Sequence, residues 1–178
     1  MVAALHGLAG VALTSFALAA GIADIRYRRI PNWLTVGGAA LGVAFAALSG
    51  AGSLLHALEG LAAGLAIGVV LFLFKALGAG DAKFMAAIAA WAGWERLPAA
   101  YLAMLAGGAA LALVWSIRHR ILGATLISTS AIVGAAVSNG GRMPPMMGGT
   151  AAGKFPYGVG LGVGAIAWWF WAGGVLPR

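Results

Sequence analysis

The sequence predicts an all-α protein folded as a polytopic membrane bundle of about six transmembrane helices. Three observations predict it. Hydrophobic residues make up 62% of the 178 positions and charged residues only 8%, and the mean hydropathy is +0.98. Such a composition excludes an ordinary soluble domain. The apolar residues fall in runs that suit the hydrocarbon layer, separated by short polar or glycine-rich breaks. Glycine occurs 29 times, which suits helix backbones that approach closely in lipid. Residues 1–178 read as one membrane domain. Cysteine is absent, so disulfides, thiol nucleophiles and thiolate metal sites are excluded. In so apolar a chain the net charge of +7 reads as membrane topology rather than nucleic-acid binding.

Residues 1–23 carry no charge apart from the proton His6 can take up, and are long enough to span. No Lys or Arg precedes this run, so it reads as a retained first span rather than a signal peptide. It ends at Asp24. Residues 24–32 form a polar turn carrying Arg26, Arg28 and Arg29, and Pro31 discourages helix through Ile30. Span 2 runs from about Trp33, at the interface, to Leu48. Residues 49–53 form a flexible turn, and span 3 covers roughly 59–77. The stretch Gly78-Ala79-Gly80-Asp81-Ala82-Lys83 follows and opens span 4, which ends near Trp94. Residues 95–98 are a tight turn into span 5, about 98–117. Residues 121–137 are apolar, but Thr125, Ser128, Thr129 and Ser130 weaken them as a span. They read as an interfacial or re-entrant helix. Residues 138–154 form a loop, and the last span is about 157–176.

With this assignment, nine of the eleven Lys and Arg residues share one side, and only Arg96 and Arg178 lie on the other. The larger set belongs in the cytoplasm, which puts both termini outside. The localisation expected is a multi-pass place in a membrane with this set on its cytoplasmic side, and lipid is the surrounding partner.

Only four acidic residues exist: Asp24, Glu59, Asp81 and Glu95. An ionisable group within a membrane segment is costly and points to function. Span 1 ends at Asp24 and span 4 begins at Asp81, so both lie at the cytoplasmic face. Glu59 and Glu95 fall on the opposite one. Two carboxylates held close cannot both ionise cheaply and share a proton. Such a pair suits an aspartic protease: the ionised member activates water, and the protonated one polarises the scissile carbonyl. The same aspartates would also serve a small proton-coupled transporter, and a non-catalytic assembly scaffold is a third class.

The segment Asp24-Ile25-Arg26-Tyr27-Arg28-Arg29-Ile30-Pro31-Asn32 closely resembles the first aspartate motif of type IV prepilin peptidases. Gly78-Ala79-Gly80-Asp81-Ala82-Lys83 resembles their GxGD motif in its extended GxGDxK form. Lys154-Phe155-Pro156-Tyr157-Gly158 resembles the proline–aromatic–glycine element before their last span. The order and spacing also match. The resemblance implies a membrane aspartic endopeptidase with catalytic Asp24 and Asp81. Its partner would be a prepilin or pseudopilin, whose short basic leader it removes on the cytoplasmic side of a transmembrane helix. Large members carry a cytoplasmic insertion between the first two spans, often with a zinc site, and also N-methylate the product. Here that connection is about nine residues, Asp24 to Asn32. The chain therefore resembles the small form of Flp/Tad pilus systems, for which no methyl transfer is expected. Archaeal preflagellin peptidases share this compact plan and stand as the alternative.

Around the pair, Gly78 and Gly80 read as support, giving backbone or substrate close access. Lys83 has two readings, a snorkelling interfacial cation or a charge beside Asp81 or substrate. Pro31, Asn32, Pro156, Tyr157 and Gly158 are candidate rim or substrate positions. The three arginines of the first turn read as topology anchors near anionic lipid. His6, His56 and His119 cannot converge on a metal in this topology, and no cofactor is expected. Glu59 and Glu95 read as interfacial residues, and the tryptophans as interface anchors.

Overall fold

The structure, a computed structural model, describes residues 2–74, 76–118, 157–174 and 176. The expected helix at 121–137, Lys154, and the rim position Pro156 lie outside the described residues. Five helices make up the described part: α1 (Val2–Tyr27), α2 (Asn32–Ser49), α3 (Ala51–Leu73), α4 (Ala79–Arg118) and α5 (Tyr157–Trp171). The first four are long and apolar enough to cross a membrane. The all-α membrane bundle expected from composition is the architecture observed.

The breaks are sharper than the sequence reading. The turn expected over 49–53 narrows to Gly50, whose φ of 134° ends α2, and α3 restarts at Ala51. Between α1 and α2 the helix continues past Asp24 to Tyr27. Arg28 then takes a left-handed φ of 54°, its N–H donating to the Asp24 carbonyl at 2.9 Å. Pro31 is extended (φ −64°, ψ 144°) and caps α2, its carbonyl accepting the N–H groups of Leu34 and Thr35. Spans 4 and 5 are joined within α4, with the break at Gly93 (φ 70°, ψ 171°) rather than at 95–98, and Pro98 lies inside the second arm.

The break at Gly93 reverses the chain. Ala89 and Tyr101 lie on opposite sides of it, and a straight helix would hold them about 18 Å apart. Both meet α3 at one place: a methyl group at Gly64 would touch the Ala89 side chain and the Tyr101 hydroxyl, and that hydroxyl donates to the Gly64 carbonyl at 3.1 Å. The two arms therefore lie side by side on α3.

Small residues permit this packing. Gly60, Gly64 and Gly68 recur every four positions on the buried stripe of α3. Gly60 faces Gly93 and the Ala89 carbonyl, and Gly68 faces Ala82, so α3 runs antiparallel to the first arm with backbones nearly touching. The second arm crosses α5 in the same way, with Gly107 against Gly160 and Gly164, and Gly164 against the Ala103 carbonyl. The first arm is buried all round from Phe84 to Gly93 and forms the axis of the bundle. Phe84 stacks at an angle on Phe16 of α1, ring centres 5.3 Å apart. Trp91 fits against Gly42 of α2, and its indole N–H donates to the Gly38 carbonyl at 3.0 Å.

The tryptophan expectation is corrected in part. Trp33, Trp94 and Trp171 are exposed, but Trp91, Trp168 and Trp169 are core residues. Trp91 and Trp169 meet edge to face with ring centres 6.2 Å apart. Glycine faces leave cavities between helices, and large rings fill them.

Candidate active site

Asp24 sits in the last turn of α1 and is only 9% exposed. Its Oδ2 accepts the backbone N–H of Gly158 at 2.9 Å. Gly158 lies in the first turn of α5, where N–H groups have no partner within the helix. One of these donors fixes the carboxylate. A Cβ on Gly158 would lie 3.0 Å from the same oxygen, so glycine allows the donor to approach. Arg28, one turn further along, is close enough for its charge to act on Asp24.

Asp81 lies in the first turn of α4. Its carboxylate accepts the backbone N–H of Gly78, and it is close enough to Asp24 for the two carboxylates to repel. Tyr157 also lies within range of the Asp81 charge, and its ring packs against Gly108. Three segments far apart in sequence, the ends of α1, α4 and α5, thus meet at one end of the bundle around two carboxylates.

The remaining expected residues fall around this pair. Gly80 lies against the backbone of Ile30: a methyl there would be 3.4 Å from the Ile30 nitrogen. Ile30 is buried and anchors the connection between α1 and α2. Gly80 therefore brings the protein's own chain close, and neither it nor Gly78 has a left-handed backbone. Lys83 points to Asn32 rather than Asp81, its ammonium donating to Oδ1 at 2.9 Å. Pro31 is the α2 cap.

Sequence reading named Gly158 as a rim position and missed its role as donor to Asp24. The proline–aromatic–glycine element marked the place, but a backbone N–H leaves no signature in residue identity. Among the described residues, no three His, Cys, Asp or Glu side chains gather to hold a metal. His6 lines a separate cavity with Trp169, and His56 meets Glu59 on α3 at 3.2 Å.

Two carboxylates at a bundle end, each steadied by a backbone N–H, can activate water and protonate a leaving group. Residues 11–117 match the type IV leader peptidase family. The chain belongs to that family. The match contains both aspartate motifs, whereas Tyr157 and Gly158 lie beyond it. Among curated proteins, the chain is similar to prepilin leader peptidase/N-methyltransferases of several bacteria. The Burkholderia pseudomallei (strain 1026b) protein is 36% identical over 130 residues, covering 66% of this chain and 42% of that one. The Escherichia coli (strain K12) protein is 36% identical over 112 residues, covering 59% and 50%. For the Pectobacterium carotovorum protein the figures are 34% over 110 residues, 58% and 39%. The chain thus spans half or less of the length of these relatives. No solved structure matches it.

Proposed function

We propose that this family member is a membrane-embedded aspartic endopeptidase that removes the short basic leader of prepilin-like proteins at the cytoplasmic face of the membrane. The observation that carries the reading is the meeting of Asp24 and Asp81, one from each aspartate motif, at the same end of the bundle. The names of the relatives support the substrate class. The bias of basic residues supports a cytoplasmic site and external termini, and residues 1–178 act as one peptidase domain.

The ionised member of the pair takes a proton from water as the water oxygen attacks the scissile carbonyl carbon. The protonated member donates a hydrogen bond to the carbonyl oxygen. The tetrahedral intermediate collapses when the C–N bond breaks and the amine leaves with a proton from the pair. The Gly158 N–H holds Asp24 in one orientation during these steps. Pro31 and Tyr157 shape the rim. Only residues 28–31 separate α1 from α2, which supports leader removal without methyl transfer.

Co-expression with a prepilin-like protein tests this. The wild-type chain is expected to shorten the substrate and to leave an unmethylated terminus by mass. Asp24→Asn and Asp81→Asn are expected to insert normally and leave the leader attached. Processing by either variant rejects the pair, and proton-coupled transport without processing favours the transporter reading.

A further inference from the structure

Lys83 and Asn32 belong to different motifs, lie 51 positions apart and are joined at 2.9 Å. Lys83 is two residues beyond Asp81. At 100° per residue its side chain leaves α4 about 200° from that of Asp81, so it faces away from the carboxylate pair. Asn32 is the first residue of α2. Residues 28–31 connect it to the end of α1, where the Arg28 N–H is bonded to the Asp24 carbonyl. Gly80 rests on the backbone of Ile30, which lies within that connection. The start of α4 is therefore attached at two points just beyond the Asp24 end of α1, by the contact of Gly80 with Ile30 in the connection and by the Lys83–Asn32 bond at the start of α2.

Lys83 and Asn32 stand at a cavity of about 330 Å3 between α2, α3 and α4, with Val36, Leu61 and Leu65 among its apolar lining. Both side chains are exposed, and the charge on the ammonium makes this hydrogen bond stronger than one between neutral groups. Asn32 is itself restrained, since its carbonyl accepts the Thr35 hydroxyl at 3.0 Å and Pro31 fixes the backbone before it.

We infer that Lys83 and Asn32 are positioning residues, a clamp that sets Asp81 against Asp24 without touching substrate. This rests on the peptidase reading. Small displacements of reacting groups have large kinetic effects, so opening the clamp lowers kcat and leaves substrate binding nearly intact.

The test is steady-state cleavage of a purified prepilin-like substrate by the detergent-solubilised full chain. Lys83→Met and Asn32→Leu are each expected to lower kcat about 10- to 100-fold, with KM changed by less than about threefold. The double variant is expected to be no worse than the poorer single one, because both remove the same bond. Asn32→Asp keeps an oxygen acceptor for Lys83 and is expected to stay within about fivefold of wild type. Asn32→Leu changes no charge, so it separates the clamp from effects on membrane insertion. Losses that multiply in the double variant overturn the clamp. So does a rise in KM at constant kcat, which marks a substrate contact, or an Asn32→Asp enzyme as poor as Asn32→Leu. Wild-type cleavage that depends on both aspartates but is unaffected by Lys83→Met and Asn32→Leu removes the clamp alone. A wild-type chain that does not cleave removes the peptidase reading and the clamp with it.

Discussion

The two aspartates take their backbone donors from different kinds of structure. The Asp81 carboxylate is bonded from within its own motif, by the Gly78 N–H three residues before it, at the start of a helical arm buried all round from Phe84 to Gly93. Asp24 is held from far away, by an N–H that arrives on α5 134 positions later. One carboxylate takes its backbone donor from a short motif, and the other from the docking of a distant helix. The difference teaches that α5 belongs to the site, although its residues there are only a tyrosine and a glycine that acts through its backbone N–H.

The largest effects test whether the two halves are equal partners. Asp24→Asn and Asp81→Asn are each expected to lower the cleavage rate by at least about 10²- to 10⁴-fold, measured by substrate shortening. A large difference between the two variants breaks the pairing. Gly158→Ala keeps the N–H but puts a methyl 3.0 Å from Asp24 Oδ2. It is expected to cost about 10- to 100-fold in kcat, with little change in thermal stability. Gly164→Ala acts further off, where its methyl meets the Ala103 carbonyl. Prying α5 from α4 is expected to destabilise the protein by about 1–3 kcal/mol, seen as a lower midpoint of thermal unfolding, and to reduce activity alongside. On the Asp81 side, Gly80→Ala meets the Ile30 nitrogen at 3.4 Å, an approach that small shifts relieve, and is expected to change the rate only about two- to threefold. Greater sensitivity at Gly80 than at Gly158 would reverse the comparison. Tyr101→Phe removes the bond to the Gly64 carbonyl. It is expected to cost about 1 kcal/mol of stability and to leave cleavage intact.

How much of this was legible differs from residue to residue. Asp24 and Asp81 stand out because charges are scarce in this chain and each lies in a recognisable motif. Their shared face follows from counting spans and basic residues. The α3 glycines at 60, 64 and 68 are visible as a four-residue repeat, but not which helix they meet, since glycine is equally suited to any close backbone. The partner of Lys83 was open, because a lysine side chain reaches several neighbours and sequence spacing does not rank them. Trp91, Trp168 and Trp169 were misread as interface anchors, because composition does not distinguish a ring at the lipid surface from one filling a space left by glycines.

By itself the sequence determined the membrane bundle, the two acidic positions and the family motifs. These depend on hydropathy and residue identity, which are local properties. Tertiary structure decided the rest: the reversal at Gly93, the joining of Lys83 to Asn32, and the Gly158 N–H that steadies Asp24. Each is an encounter between segments distant in the chain, and a backbone N–H or carbonyl is chemically alike at nearly every position. Only the packing of the helices selects which one meets a carboxylate.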